Sequence, residues 1–456
     1  MPRPTASFCA RRPHRRAMLG LLAATALALS GCDETSRLPA EAGYGPQPSL
    51  PAPAPQRIPT VHVAQATGWP AGRQPVAAEG LNVQPYATGL QHPRWLLTLP
   101  NGDVLVAETN APPKPEDSKG IRGWFMQRAM KKAGSAGPSA NRITLLRDAD
   151  GDGRAEIRTV LHEGLNSPFG MALVGDHLYV ANTDAVVRLP FRPGQTRIDA
   201  RPEKVLDLPG GPLNHHWTKN LTASADGKRL YITVGSNSNI AENGMDKEEG
   251  RAAIWELDLG TQRHRVFATG LRNPNGMAWE GGRLWTVVNE RDELGNDLVP
   301  DYLTSVQEGG FYGWPYSYWG RHVDERVQPQ RPELVAHAIT PDYALGAHTA
   351  SLGLVNAAGN RLSPAWSQGM FIGQHGSWNR KPRSGYKVVF IPFKEGKPAG
   401  TPVDVLTGFL SEAGEAQGRP VGVVLDRQGA LLVADDVGNV IWRVAAMPPQ
   451  GAPKAP

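Results

Sequence analysis

A short phrase recurs along the chain and limits what it can fold into. Each copy has a Pro or small polar residue, a Gly beside an apolar pair, a Gly-centred turn and a short Leu-, Tyr- or Val-rich strand. Six copies are present, of which the fifth is the weakest: 92–107, 167–180, 213–239, 273–287, 350–373 and 419–434. A repeat of this kind buries its apolar face only against its neighbours, so the copies must pack together.

The third copy shows why the phrase predicts strands. Residues 224–228 read Ser-Ala-Asp-Gly-Lys, and an alternating apolar run follows at 229–234. An Asp-Gly pair between alternating apolar residues is a strong hairpin signal. Further short strands follow other copies, at 185–189, 253–259, 386–392 and 439–444. Strong helical periodicity is scarce, so the pattern predicts an all-β six-bladed β-propeller with four strands in each blade.

The same pattern predicts how the propeller closes. Residues 82–88 form an early strand that can pair with 439–444 and complete the last blade. Closure of this kind removes unpaired sheet edges. The predicted domain organisation is a leader at 1–31, a Pro- and Ala-rich tether at 32–79, the propeller at 80–446 and a tail at 447–456.

The first residues are typical of an export signal. A basic head precedes an apolar run at 17–30, which is too short to span a bilayer permanently. Residues 29–32 read Leu-Ser-Gly-Cys and resemble a bacterial lipoprotein box, which implies cleavage before Cys32, lipidation of Cys32 and a periplasmic, membrane-anchored protein. Arg15 and Arg16 also loosely resemble a twin-arginine signal. The alternative is an ordinary signal peptide with a chance Cys near its end.

The leader also accounts for the charge and half of the cysteines. Residues 1–31 contain five arginines and no acid, against a net charge of +5 for the whole chain. The remainder is therefore near neutral, and the high isoelectric point is no evidence for nucleic-acid binding. Of two cysteines, Cys9 lies in the leader and Cys32 follows it. A disulfide or a Cys-based metal site is thus excluded from the propeller.

An insert at 111–139 interrupts the first repeat. Within it, residues 121–132 predict an amphipathic helix that places Ile121, Phe125 and Ala129 on one face and basic residues on the other. Such a helix can lie on a membrane surface. The alternative, which we favour, is a helix that caps the side or rim of the propeller.

Several phrases resemble those of pyrroloquinoline quinone (PQQ) dependent sugar dehydrogenases, the group that includes soluble glucose dehydrogenase and aldose sugar dehydrogenases. They appear in order at 271–276 (Leu-Arg-Asn-Pro-Asn-Gly), 288–297, 300–302, 309–315 and 375–380. The resemblance covers nearly all of the predicted propeller and is strongest to the L-sorbosone dehydrogenase-like branch. It implies an oxidoreductase that oxidises a sugar or sugar aldehyde by hydride transfer to PQQ.

PQQ is a flat tricarboxylate quinone, so its site needs cationic side chains and a divalent cation. Arg272 with Asn273, Arg380 or Arg383, and Arg419 stand at equivalent loop positions of their repeats. Basic residues that converge on one axis repel one another unless an anion lies there. The resemblance implies cofactor contacts by Arg272, Asn273, Arg419 and Arg380. Any one of these arginines alone has a simpler explanation as a solvated loop charge.

The predicted calcium site follows the fourth repeat. Residues 289–301 are dense in oxygen donors, which Ca²⁺ prefers. The resemblance implies that the main-chain carbonyls of Glu290 and Arg291 hold the Ca²⁺ that polarises the quinone. The alternative is a polar loop that binds no metal. A second acidic phrase at 148–156 begins like an EF-hand loop but has Thr159 at the twelfth position, so we favour a Gly-rich hairpin turn over a structural Ca²⁺ site.

His216 resembles the general base of soluble glucose dehydrogenase. A neutral imidazole can take a hydroxyl proton near pH 7 while hydride leaves the same carbon. The sequence differs from those relatives at Ser236, where they carry an Asp that can orient the base. His375 is a second candidate, and the alternative for His216 is a structural His beside Trp217.

Two other functions remain open from the sequence: a Ca²⁺-dependent lactonase, and a propeller that only binds a ligand or partner. Four aromatic residues form either a sugar-stacking wall or part of the core: Trp314, Tyr316, Tyr318 and Trp319.

The haem-attachment motif Cys-x-x-Cys-His is absent from the sequence. We therefore expect a separate electron acceptor, a quinone or a cytochrome.

Overall fold

The computed structural model describes residues 35–55, 61–113, 128, 131–134 and 137–448. The predicted leader, Cys32, most of the helix predicted at 121–132 and most of the predicted tail lie outside these ranges. Within them, no helix has the length and apolar character needed to cross a bilayer.

Six antiparallel sheets form the blades, as the repeat predicts. Blade I contains Pro93–Thr98, Val104–Glu108, Arg142–Arg147 and Ile157–Glu163. Blade II contains Met171–Val174, His177–Ala181, Ala185–Pro190 and Glu203–Asp207. Blade III contains Leu221–Ala223, Arg229–Val234, Ala253–Asp258 and His264–Thr269. Blade IV contains Pro274–Glu280, Arg283–Val288, Pro300–Ser305 and Tyr343–Ala347. Blade V contains Ser351–Asn356, Gly369–Gln374, Lys387–Lys394 and Val403–Thr407. Blade VI contains Pro420–Leu425, Leu431–Asp435, Val440–Ala446 and the early strand Leu81–Ala87.

The first strand of each blade contacts the first strands of the two neighbouring blades, so the six sheets surround one axis. Closure occurs in blade VI, where Leu81–Ala87 pairs antiparallel with Val440–Ala446, with Val83 opposite Val444 and Leu81 opposite Ala446. The predicted clasp is therefore confirmed. The remaining short elements of the described chain are a two-residue strand Lys397–Pro398, a hairpin of Ser317–Tyr318 with His322–Val323, the helix Pro332–Val335 and the 3-10 turns Ala40–Gly43, Met245–Glu248 and Pro364–Trp366.

The core lies between neighbouring blades. Each sheet has another sheet on both of its faces, so the second strands are almost wholly buried, and Val104–Glu108 and Leu431–Asp435 are buried along their whole length. Such strands read as continuous apolar runs because neither face meets water. The predicted Asp226-Gly227 turn is present, with Gly227 at a φ of 67° and Ser224 N–H bonded to the Arg229 carbonyl at 2.9 Å.

The predicted tether at 32–79 is wrong for the residues that the structure describes. The N-terminal segment, by which we mean residues 35–55 and 61–79, follows the propeller surface. It adds a short strand to the outer edge of two blades, Tyr44–Gly45 on Tyr343–Ala347 and Val76–Ala77 on Val403–Thr407. Its Pro- and Ala-rich composition rules out a core of its own. The open edges of two blades nevertheless bind its backbone N–H and C=O groups, which composition does not reveal.

Candidate active site

One face of the propeller collects the predicted site residues. In an antiparallel sheet the start of the first strand and the end of the second meet at the same edge, as in the pairs Pro93 with Glu108 and Pro420 with Asp435. Arg272, Asn273 and Arg419 stand directly before first strands, and His216 stands shortly before one. The residues that follow second strands, such as Ser236, Glu290, His375 and Asp436, lie at the same edge.

Ser236 holds His216 in a defined orientation. The His216 Nδ1 lies 2.9 Å from the Ser236 carbonyl oxygen and 3.0 Å from its Oγ. The Ser236 hydroxyl donates to the Ser238 carbonyl at 2.6 Å, so its oxygen accepts from His216. A carbonyl oxygen can only accept, so Nδ1 carries the proton and the neutral ring has its lone pair on Nε2. Ser236 thus fixes the orientation of the His216 ring.

His216 and Asn273 both pack closely against Gly235. A Cβ at Gly235 would lie 2.5 Å from Asn273 Oδ1 and 2.6 Å from His216 Cβ, so only glycine fits between them. The Asn273 Oδ1 is buried and has no hydrogen-bond partner within the described part of the chain. His215, next to the predicted base, is exposed and meets the His216 ring edge-on, with ring centroids 5.4 Å apart.

The Arg272 guanidinium is buried at the end of the neighbouring blade. Its Nη1 donates to the Glu290 carbonyl at 2.7 Å, and its Nη2 donates to Asn239 Oδ1 at 2.9 Å. The Nη2 also forms an ion pair with Asp292 at 3.3 Å. The Ser236 N–H donates to the Arg272 carbonyl oxygen at 2.7 Å. This hydrogen bond joins the segment that holds His216 directly to the segment that carries Arg272.

Asp292 provides the negative charge in this part of the site. Burial alone would raise its pKa, but the hydrogen bond from His348 and the charge of Arg272 lower the pKa overall. Asn379 Nδ2 donates to Asp292 Oδ1 at 2.8 Å, whereas Asn379 Oδ1 is buried without a partner in the described residues. The phrase at 375–380 therefore reaches the site through Asn379.

The predicted calcium ligands lie beside Arg272. A carbonyl oxygen has two lone pairs, so a cation at the Glu290 carbonyl would share that oxygen with Arg272 Nη1. The Glu290 carboxyl is also buried, and burial raises its pKa. Asp301 anchors the loop by accepting the Glu290 N–H at 2.9 Å. The Arg291 side chain is buried and forms an ion pair with Asp324.

Arg380 has a different environment from the one expected of a cofactor contact. Its guanidinium donates to the carbonyls of Asn296 at 2.9 Å and Pro382 at 2.8 Å, and to Ser36 Oγ at 2.8 Å. It therefore fastens the 289–301 loop to the N-terminal segment. Arg383, the alternative, donates to the His62 carbonyl at 3.0 Å and so also binds the N-terminal segment.

A second polar group surrounds Arg419 and His375. Arg419 Nε donates to the His375 carbonyl and Nη2 to the Gly376 carbonyl, both at 3.0 Å. His375 Nε2 lies 2.9 Å from Asp436 Oδ2. Burial and the charge of Arg419 lower the pKa of His375 to about 3. The ring is thus neutral at physiological pH and donates from Nε2 to the carboxylate.

Sequence reasoning missed Arg94, His92 and Asp436. Arg94 Nη1 lies 2.6 Å from Asp436 Oδ2, and His92 Nδ1 lies 3.0 Å from the Asp436 carbonyl. Burial opposes ionisation of Asp436, but His375, His92 and Arg94 hold its pKa far below the usual range. The Arg94 guanidinium carbon also lies 5.7 Å from the ring centroid of Trp217. Arg94 follows the repeat's own Pro by one residue, which is the signal that points to it.

On this face the described residues combine cationic side chains with buried polar atoms that lack partners. Arg272, Arg419 and Arg94 come from three blades and stand on one face, where Asp292 and Asp436 are their acidic partners. Several buried polar atoms of this face lack partners within the described part of the chain, namely Arg94 Nε, Asn273 Oδ1, Asn379 Oδ1 and Asp436 Oδ1. Unsatisfied buried donors and acceptors are costly unless a ligand or water binds them.

Two further predictions concern an aromatic wall and an acidic phrase. All four aromatic residues of the proposed wall are buried, between 3% exposed at Trp314 and 7% at Tyr316, so they belong to the core and not to a rim. The acidic phrase forms a turn in which Gly151 N–H and Gly153 N–H bond Asp148, at the opposite end of blade I. The carboxylates of Asp148, Asp150, Asp152 and Glu156 lie within 4.8 Å of one another.

A family model described as TrAA12-like matches residues 75–308 and 332–446. The PQQ-dependent pyranose dehydrogenase of Coprinopsis cinerea is 26% identical over 296 residues, which cover 51% of this chain and 40% of that protein. Aldose sugar dehydrogenase YliI of Escherichia coli is 31% identical over 166 residues, or 32% of this chain and 42% of that protein. An uncharacterized protein of Borreliella burgdorferi is 28% identical over 52% of this chain and 62% of its own length. The chain thus spans 40 to 62% of the length of these curated relatives.

Solved structures share the fold. The holo form of the pyranose dehydrogenase PQQ domain from Coprinopsis cinerea superposes with a TM-score of 0.65 at 21% identity, over 84% of this chain and all of that one. The calcium structure of a Trichoderma reesei family AA12 protein gives a TM-score of 0.65 at 18% identity, over 85% of this chain and 99% of that one. These similarities independently support the six-bladed propeller.

Proposed function

Because the chain belongs to the TrAA12-like family, we propose that it is an oxidoreductase that oxidises a sugar or sugar aldehyde with PQQ and Ca²⁺. The names of its relatives support this substrate class and cofactor. The observation that carries the proposal is the orientation of the His216 ring, whose Nδ1 is held by Ser236 so that the basic Nε2 can accept a proton, with Asn273 packed against the same glycine. Export and lipid anchoring through Cys32 belong to the same proposal and are supported by the leader sequence.

The residues of the chain divide the work as follows. Arg272, Arg419 and Arg94 would hold carboxylates of the cofactor, and Asn273 would fix its ring edge. The Glu290 and Arg291 carbonyls would hold Ca²⁺. When bound, the Ca²⁺-polarised quinone supplies the acceptor for a hydride from the substrate carbon. His216 Nε2 takes the proton of the substrate hydroxyl, so proton and hydride leave separately.

Charge balance supports this assignment of roles. Asp292 and Asp436 offset two of the three positive charges of Arg272, Arg94 and Arg419 when no cofactor is bound. A tricarboxylate would add three negative charges, which the remaining positive charge and the two charges of Ca²⁺ balance together. The neutral His375 adds a donor without adding a charge. Electrons would then pass to a separate acceptor, because the sequence contains no Cys-x-x-Cys-His motif.

The test is reconstitution of purified protein with PQQ and Ca²⁺. We expect a quinone absorbance band on the protein, and reduction of an artificial acceptor dye with aldoses, pyranoses or sorbosone. His216→Gln should lower kcat by about a hundredfold or more, which is the usual contribution of a general base. It should leave the Kd for PQQ within about threefold, since His216 takes a proton and does not hold a carboxylate.

His215→Gln is the matched control, because His215 is adjacent but exposed, and its kcat should stay near that of the wild type. Wild-type activity in His216→Gln would contradict the assignment of the base. Absence of a quinone band and of dye reduction with every substrate would contradict the reaction itself. Proton release from lactones without PQQ would instead identify a lactonase, and sugar binding without turnover a binding protein.

A further inference from the structure

The N-terminal segment crosses the face that carries the candidate site. His62 N–H bonds the Trp378 carbonyl at 2.7 Å, and Thr67 N–H bonds the Ala416 carbonyl at 2.9 Å. Residues 378 and 416 belong to the loops that lead to Asn379 and Arg419. The segment therefore lies against the loops that form the site, before it pairs with the outer edge of blade V.

Trp69 is the residue of this segment that contacts Asp435, and it packs partly buried against the core cluster. Its Nε1 donates to Asp435 Oδ2 at 2.7 Å. Its ring packs edge-on against Phe409 and Trp442, with centroid separations of 5.6 and 5.4 Å. Trp442 Nε1 donates to the same carboxylate oxygen at 3.0 Å. Two indoles from distant parts of the chain thus hold one oxygen of Asp435.

The other oxygen of Asp435 holds backbone. Asp435 Oδ1 accepts the N–H groups of Arg419 and Gly438, each at 2.8 Å. Within the described residues, no Arg, Lys or His pairs with this buried carboxylate. Its partners are all neutral N–H donors, so its role is to fix the position of the backbone and not to balance charge.

Two glycines make room for the contact between Trp69 and Asp435. A Cβ at Gly418 would lie 2.2 Å from Asp435 Oδ2 and 2.7 Å from Trp69 Nε1. A Cβ at Gly438 would lie 2.4 Å from the same carboxylate oxygen and 2.6 Å from Trp69 Cδ1. Neither site has room for any side chain, so the backbone on both sides of Asp435 is fitted to the indole and the carboxylate.

We propose that Trp69 is a positioning residue for Arg419, acting through Asp435. The indole N–H fixes the Asp435 carboxylate, the carboxylate fixes the Arg419 backbone, and the Arg419 guanidinium then stands against the His375 and Gly376 carbonyls, facing the cofactor carboxylate. The link to the cofactor rests on the proposed function, whereas the link from Trp69 to the Arg419 backbone does not. The N-terminal segment therefore contributes to the site by fixing the position of Arg419.

The test compares Trp69→Phe with Trp366→Phe in the full-length protein. Phenylalanine keeps an aromatic ring but lacks the N–H donor. Trp366 packs on Phe390 and Phe371 in the same core cluster as Trp69, but at the opposite end of blade V. Hydrogen exchange at Arg419 and Gly438 is followed by mass spectrometry without cofactor, and the Kd for PQQ is measured by absorbance titration in the presence of Ca²⁺.

We expect Trp69→Phe to speed exchange at both amides and to raise the Kd for PQQ about tenfold, as the loss of one hydrogen bond to a charged group would. The KM for the sugar should not change, because Trp69 holds Arg419 and not the substrate. Trp366→Phe should alter neither exchange at these amides nor the Kd. Unchanged exchange in Trp69→Phe, or an equal increase in both variants, would overturn the proposal.

The outcomes also separate this proposal from the proposed function. If the wild type binds PQQ, faster exchange with an unchanged Kd overturns the positioning role toward the cofactor. If the wild type binds no PQQ, the proposed function fails, and the exchange comparison alone decides whether Trp69 positions the Arg419 backbone.

Discussion

The adjacent carboxylates of Asp435 and Asp436 have different structural roles. Asp436 is surrounded by Arg94, His92 and His375, which keep it ionised although it is buried. Among the described residues, those that donate to Asp435 are neutral N–H groups, and burial raises the pKa of Asp435 to about 6. A buried carboxylate is stable only when its lone pairs are satisfied. Charged side chains help to satisfy those of Asp436, whereas backbone N–H groups help to satisfy those of Asp435.

His375 should make stability depend on pH. An unfolded histidine titrates near pH 6.5, whereas folded His375 has a pKa of about 3. In the window between these values only the unfolded chain binds the proton, so its contribution to stability is complete above pH 6.5 and is lost as the pH falls. Between pH 7 and 5 this one group should cost about 2 kcal/mol in the free energy of unfolding.

Urea unfolding of the wild type and of His375→Asn at both pH values measures this contribution. The variant should lose about 2 kcal/mol less than the wild type over the same interval. Asp436 does not obscure the comparison, because its carboxyl is ionised in the folded state and nearly all ionised in the unfolded chain at pH 5. Equal losses in the two proteins would show that folded His375 also takes up a proton.

At the residue scale, the sequence predicts the part of the site that is local in the chain. Arg272 and Asn273 adjoin each other in one phrase, and the structure packs His216 and Asn273 against the same glycine, Gly235. Arg94 and Asp436 were missed because they are brought together only by closure of the ring, and neither is unusual in its own phrase. Arg380 stands in a matching phrase, but the direction of its side chain depends on Asn296 and Ser36, which no repeat encodes.

Among the strands, the closing strand of blade VI was predicted from the need to complete the last blade. Leu81 and Val83 pack in one core cluster and Tyr86 in another, whereas Asn82 is exposed. Replacement of Val83 by Asp would bury an unpaired carboxylate opposite Val444. We expect a loss of about 3 kcal/mol or more in the free energy of unfolding, because burial of an unpaired charge is among the largest single-residue costs.

The matched control is Asn82→Asp, which adds the same charge to the exposed side of the same strand and should change stability by less than about 0.5 kcal/mol. The urea unfolding midpoints of both variants and of the wild type measure these changes in stability. A small loss in Val83→Asp would indicate that the closing strand detaches without disturbing the rest of blade VI.

The N-terminal segment could not be predicted at this scale. Its composition indicates an extended chain, and that is correct for most of its described backbone, which forms two two-residue strands and the 3-10 turn Ala40–Gly43. The composition of the segment does not reveal that blades IV and V have open outer edges with which the segment pairs. Edge strands attract such additions because their N–H and C=O groups are unpaired.

At the scale of the whole molecule, the ring of six blades is complete only when Leu81–Ala87 joins blade VI. The stability of the molecule therefore depends strongly on this one short strand. A chain that begins at residue 88 loses Leu81, Val83 and Tyr86 from the core, and each such side chain contributes about 1.5–3 kcal/mol. Their sum approaches the total stability of a typical protein. We expect this shortened chain to be largely unfolded.

A chain that begins at residue 81 keeps the closing strand but lacks the N-terminal segment. It should retain the circular dichroism of the full protein and unfold in one cooperative step at a lower Tm. Thermal melts of the two shortened chains followed by circular dichroism provide the measurement. If both melt at the same temperature, the pairing in blade VI does not close the ring energetically.

The pairing of Ile441 with Ala87 joins residues more than 350 positions apart, and it has a consequence for biosynthesis. The strand that the ribosome makes early finds its partner only when the last strand has been made. Until then Leu81–Ala87 offers an unpaired apolar edge, and the ring cannot form. Contacts so distant in sequence also slow folding. We therefore expect nascent chains to need chaperone protection until their final residues emerge.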